Sequence, residues 1–145
     1  MSFLFKKICI ASDHAGYNLK ELIKDHLINK HVSIFDLGPY KTKSVDYPDY
    51  AKKLAKRVKA KKSDIGILVC GSGTGMAISA NKIKDIRAAV CYNPKSTRLS
   101  RQHNNANIIA LGARLTKKSL TIRLVELFLK TKFEGGRHLK RIKKI

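Results

Sequence analysis

The stretch Ile65-Gly-Ile-Leu-Val-Cys-Gly-Ser-Gly-Thr-Gly75 decides how this chain is read. Its first half, Ile65 to Val69, is a short apolar run of the kind that forms a strand buried on both faces. Gly71, Gly73 and Gly75 then alternate with Ser72 and Thr74, and a helical pattern begins at Met76 and runs to Lys82. Strand, glycine-rich turn and helix in that order make the repeating unit of a parallel α/β sheet. The turn also carries chemistry. Without Cβ obstruction several backbone N–H groups can converge on one anion at the head of a helix, whether a phosphate or a developing oxyanion. Cys70 stands at its lip, where such donors favour a thiolate. A cysteine there serves as nucleophile or as base, and its neighbours must decide which.

Outward from this stretch the same alternation repeats. Lys6 to Ala11 reads as a first strand, followed by Ser12-Asp-His-Ala-Gly16 and a helix with Leu19, Leu22, Ile23, His26 and Leu27 on one face. His31 to Asp36 is the second strand, and Tyr47-Pro48 opens a helix with Tyr50, Leu54, Ala55 and Val58 inward. Ile86 to Cys91 and Asn107 to Leu111 are the fourth and fifth strands, with a helix between them ending near Gln102. Thr116 is the expected cap of a last helix carrying Leu120, Val125, Leu127 and Phe128. The expected fold is therefore α/β: a three-layer αβα sandwich around a five-stranded parallel, doubly wound, Rossmann-like sheet. It fills one domain, 1–145, with a basic, glycine-hinged tail at 133–145.

Composition bounds the function. A chain of 145 residues that is 43% hydrophobic can bury a full core. No apolar run approaches the roughly 20 residues of a membrane span, and the N-terminus does not read as a secretory signal. Three cysteines at irregular spacing, Cys9, Cys70 and Cys91, suit a reducing compartment, most simply the cytoplasm. The net charge of +21 invites a nucleic-acid reading. However, the lysines are scattered over helix faces and loops, with no zinc-finger spacing, RNP-like strand or recognition helix. Nucleic-acid binding is expected to be at most non-specific, while a positive field would draw in an anionic metabolite.

Ligands of doubly wound sheets bind beyond the carboxyl ends of the strands. Asp13-His14, Cys70 to Gly75 and Arg114 all fall at such ends. The glycine loop lacks the Gly-Lys-Ser/Thr of a Walker loop and the acidic partner of a dinucleotide fingerprint. Met76 stands where a cysteine phosphatase would need its arginine. Asp13 either caps the first helix or holds a ligand. His103, before Asn104, complements a helix C-terminus or does chemistry. Arg114 is a surface charge or a ligand contact. Arg137 and Arg141, four residues apart, form a solvated basic face or a phosphate clamp.

Taken together, Ser12-Asp-His-Ala-Gly16, Asp46-Tyr-Pro48, Cys70 to Gly75, Ala80-Asn-Lys82, Ser100-Arg-Gln-His-Asn104, Leu111-Gly-Ala-Arg114 and Glu134-Gly-Gly-Arg-His138 resemble the type B ribose-5-phosphate isomerases. That family also contains galactose-6-phosphate isomerase subunits. The resemblance runs from about Lys7 to Arg141. It implies interconversion of ribose 5-phosphate and ribulose 5-phosphate in the pentose phosphate pathway, without metal or cofactor, in a homodimer with active sites at the interface. It further implies Cys70 as the base and His103 as the acid that opens the furanose ring; beside them, Ser72 of the turn is placed to shuttle a proton between the two oxygens or to orient one of them. Asp13 and His14 then bind the sugar, and Gly71, Ser72, Gly73, Thr74, Gly75 and Asn104 hold the enediolate. Arg114, Arg137 and Arg141 take the phosphate, whose binding is expected to order the tail. A six-carbon phosphosugar is the nearest alternative substrate. The lysine-rich exterior is the feature that the family pattern leaves unexplained.

Overall fold

A computed structural model describes residues 2–145. Five parallel strands, β1 (Ile8–Ser12), β2 (Ile34–Asp36), β3 (Ile65–Cys70), β4 (Ala88–Val90) and β5 (Ile108–Gly112), form one sheet in the order β2-β1-β3-β5-β4. Six helices accompany them: α1 (Tyr17–Asn29), α2 (Tyr47–Lys59), α3 (Thr74–Asn81), α4 (Pro94–Gln102), α5 (Lys118–Lys130) and α6 (Arg137–Ile142). The expected doubly wound sandwich is what the chain forms.

The alternation of side chains across each strand builds the two interfaces. Ile8, Ile10, Ile65, Ile67, Val69, Ile109 and Leu111 pack with Leu19, Ile23 and Leu27 of α1 and Leu124, Val125 and Phe128 of α5. Cys9, Ala11, Leu68, Cys70, Ile108 and Ala110 face Ala51, Leu54 and Val58 of α2 and Met76, Ala77 and Ala80 of α3. Gly66 is glycine because a Cβ there would run into Leu54. The chain turns left of β1 to make β2 and right of it to make β3, so the switch point lies between β1 and β3. Asp13 donates its N–H to the Val69 carbonyl at 3.1 Å and thus sits at that point, beside Cys70.

Some expectations change at the element ends. Leu22 is exposed, and Lys20 takes its inward place on α1, fully buried with Nζ 2.7 Å from Asp36 Oδ2. On α5 the buried residues are Thr121, Leu124, Val125, Phe128 and Leu129, with Leu120 and Leu127 only partly covered. Its N-cap is Lys117 rather than Thr116, with no side-chain cap. The tail is not the loosely held segment its glycines suggest. Gly135 and Gly136 take φ of +68° and +55° and lead into α6, which buries His138.

Candidate active site

The first group of site residues gathers at the carboxyl edge of the sheet. Cys70 is the last residue of β3 and is 5% exposed. Its Sγ accepts the Gly73 N–H at 3.1 Å, which Gly73 can offer because it adopts φ +82°. A Cβ on Gly73 would stand 3.0 Å from the Leu111 carbonyl carbon, so the turn demands glycine twice over. Thr74 opens α3 and donates its N–H to Ser72 Oγ at 3.3 Å. Two loop donors are thus engaged within the loop, and the residues left facing the cleft are Gly71, Ser72 and Gly75. The loop after β5 is laced onto this turn: Ala113 N–H donates to the Cys70 carbonyl at 2.8 Å and Arg114 N–H to that of Gly71 at 3.0 Å. The Arg114 guanidinium then lies over Gly71, where a Cβ would be 3.3 Å from Nη1.

These groups line an open cleft of about 440 Å³ together with Asp13, Tyr47 and Leu115. Asp13 Oδ1 accepts the Gly16 N–H at 2.9 Å, so its helix-capping and site-lining roles coexist. His14 is exposed, and its Nδ1 accepts the Val45 N–H at 3.2 Å, which leaves Nε2 as the free ring position. The other two cysteines differ from Cys70 in setting. Burial pushes the Cys9 thiol up to about 11 and also raises Cys91. Both are packed core residues, and all three cysteines are free.

The second group lies at the opposite edge. α4 leaves the carboxyl end of β4 and runs back, so His103 and Asn104 follow it at the amino edge, close to where β5 begins. There Asn107 accepts the Gly66 N–H at 2.9 Å, four residues below Cys70 on β3, or about 13 Å along the strand. The tail docks at the same edge through Glu134 N–H to the Gln102 carbonyl at 3.1 Å. The His103 ring stacks on His138 with centroids 4.2 Å apart and planes 13° apart. Glu134 Oε2 stands 3.7 Å from His138 Nε2. Burial, then the neighbouring His103 and Arg137, hold His138 below the ordinary imidazole range, against the pull of Glu134. Arg137, Lys140 and Arg141 of α6 line a shallow cleft with Lys144, which follows it.

His103, Glu134 and His138 bring their ligand-type atoms within 4.8 Å of one another. Imidazole binds a metal in the plane of its ring. With the two rings nearly parallel and stacked, an ion in the plane of one stands well out of the plane of the other. The arrangement suits ring-on-ring positioning better than coordination.

Within one chain, therefore, Asp13, Cys70, the glycine loop and Arg114 come together, whereas His103, Asn104, Arg137 and Arg141 form a separate cluster. Sequence reasoning missed Tyr47 and Leu115 as lining residues and the stacking of His138 on His103. The signals available were slight: a tyrosine before the helix-opening Pro48, and a histidine four residues after Glu134.

This combination has known counterparts. The ribose/galactose isomerase family matches residues 8–145. Ribose-5-phosphate isomerase B of Escherichia coli is 43% identical over 140 residues, covering 97% of this chain and 94% of the relative. The Clostridium thermocellum ribose-5-phosphate isomerase B structure superposes with a TM-score of 0.94 at 48% identity, covering 95% of this chain and 93% of that one. The Mycoplasma genitalium enzyme, solved with bound ribulose 5-phosphate, gives 0.90 at 46% identity, with 94% and 91% covered. With the family match over residues 8–145, a shared fold and near-complete coverage of its relatives, the chain belongs to the ribose/galactose isomerase family.

Proposed function

We propose that this chain is a ribose-5-phosphate isomerase that interconverts ribose 5-phosphate and ribulose 5-phosphate through a cis-enediolate. The observation that carries the reading is Cys70: a cysteine at the end of β3, with Gly73 N–H 3.1 Å from Sγ, in a cleft shared with Asp13 and Arg114. A thiolate held in this way is a base for a weak carbon acid. It takes the proton from C2 of the open-chain aldose, and the electron pair passes to the carbonyl oxygen on C1. Ser72 orients the two oxygens or passes a proton between them, and return of the first proton to C1 gives the ketose. Gly71, Ser72, Gly75 and the head of α3, rather than the whole loop, present the donors for the enediolate. Each such donor is typically worth about 2.7–4 kcal/mol in the transition state. Asp13 and His14 bind the sugar hydroxyls, and Arg114 meets the substrate from its place over Gly71.

His103 protonates the ring oxygen during furanose opening, Asn104 contacts the enediolate, and Arg137 and Arg141 clamp the phosphate. Holding that remote phosphate fixes the reacting carbons without itself doing chemistry. Because these groups lie a strand length from Cys70, the reading requires two copies, each giving its amino-edge cluster to the other's cleft. The homodimer is further supported by exposed apolar residues on both clusters: Tyr47 and Leu115 at 42% and 63%, Leu139 on the tail at 44%. A cytoplasmic enzyme of the pentose phosphate pathway fits three free thiols and, among the described residues, no helix long and apolar enough to cross a membrane. The test is an isomerase assay with ribose 5-phosphate and no added metal, run beside galactose 6-phosphate and allose 6-phosphate. Turnover of the pentose phosphate with the higher kcat/KM supports the reading. Preference for a six-carbon sugar reassigns the substrate, and no turnover of any of them sinks it.

A further inference from the structure

Tyr92 follows β4, two strand positions away from β3 in the sheet, yet its hydroxyl donates to the Ser72 carbonyl at 2.8 Å. The strand between them, β5, ends in Gly112, and a Cβ there would lie 2.8 Å from that same carbonyl oxygen. The missing side chain of Gly112 is what gives the Ser72 oxygen its place beside the tyrosine. The peptide unit that carries this carbonyl also carries the Gly73 N–H, and the unit is planar and rigid. Its oxygen is held by Tyr92, and its N–H, on the opposite side, points at Cys70 Sγ at 3.1 Å.

We propose that Tyr92 is a positioning residue: by fixing the Ser72 carbonyl it keeps the Gly73 N–H aimed at Cys70 and so sustains the thiolate. This rests on the reading of Cys70 as the base. Tyr92 itself does not line the cleft. Its reach is made through one hydrogen bond at each end of a single peptide, and the arrangement is a feature of this chain's own Tyr92–Gly112–Ser72 contact. Without the phenol hydroxyl, the peptide is free to tilt, and the donor to the sulfur loses direction. Hydrogen bonds to charged groups are the ones whose loss is felt most.

The test compares wild type with Y92F, which keeps the ring and removes only the hydroxyl. Alkylation of Cys70 by iodoacetamide is followed by mass spectrometry from neutral to alkaline pH, so that Cys9 and Cys91 are counted apart. Kinetics with ribose 5-phosphate and melting temperatures are measured alongside. At neutral pH, Y92F should react about tenfold more slowly at Cys70, the change in thiolate population that one pH unit represents. The deficit should vanish at higher pH. The kcat value should fall by a similar factor with KM little changed. A wild-type alkylation profile in Y92F overturns the proposal, and so does a slowing that is equal at every pH. G112A crowds the same carbonyl from the other side and must shift the profile in the same direction, which keeps the test alive if either variant folds poorly. The alkylation arm needs no turnover. A wild type that alkylates normally but isomerises nothing would remove the isomerase reading while the positioning role is still judged by Y92F.

Discussion

At the carboxyl edge of the sheet the functional geometry is made of backbone, whereas at the amino edge it is made of side chains. Cys70 is held by a Gly73 N–H, the loop is laced to the β5 turn by main-chain hydrogen bonds, and Gly73 and Gly112 permit contacts that no other residue would. His103 depends instead on a ring stacked against it, with Glu134 behind. Backbone donors are rigid and are aimed before substrate arrives, which suits a developing charge. Stacked rings and arginines on a short helix can adjust, which suits the acid and phosphate clamp proposed for them. The comparison teaches why the proposed reading needs both edges: it takes its base from one and its acid from the other.

The comparison can be broken most severely at Cys70. C70A should lower kcat by about 10²–10⁴-fold, the usual contribution of a positioned base, with melting temperature and phosphate binding retained. Steady-state kinetics and thermal shifts with inorganic phosphate check this, and full activity would reassign the base. A smaller effect is expected from the amino edge. Replacing Arg137 and Arg141 together by Ala should raise KM for ribose 5-phosphate about ten- to hundredfold, as loss of charge-assisted contacts does. An unchanged KM would place the phosphate elsewhere. Smallest and most diagnostic is the directional effect of H103A. It should slow the cyclic aldose more than the open-chain ketose, measured by comparing kcat/KM in the two directions. Equal losses would argue against ring opening.

The division between the edges also explains what could be read in advance. Strand order apart, the fold was legible because buried parallel strands are short apolar runs and the glycines at 71, 73 and 75 announce a tight turn. The placement of Cys70 followed from the same signal. The stacking of His138 on His103 has no periodicity, since it joins the end of α4 to a separate helix by ring contact. The tail reads as glycine-hinged because Gly135 and Gly136 suggest a hinge, but their positive φ values lead into α6. Lys20 was hidden by its type, because a lysine is expected outside unless a partner such as Asp36 is known to await it. That Cys70 and His103 stand at opposite ends of the sheet becomes visible only once α4 is traced back from β4.

The central claim, that the two edges of different copies complete one site, is tested by subunit mixing. On the proposed reading, C70A and H103A homodimers each lack one required group at every site. Unfolded together and refolded at equal concentrations, half of the resulting dimers should be mixed, and each should hold one intact site and one doubly deficient one. A two-fold arrangement then predicts recovery of about a quarter of wild-type activity from two nearly inactive parents. Activity no higher than that of the parents, with mixed dimers shown to be present, would mean that Cys70 and His103 act within one chain.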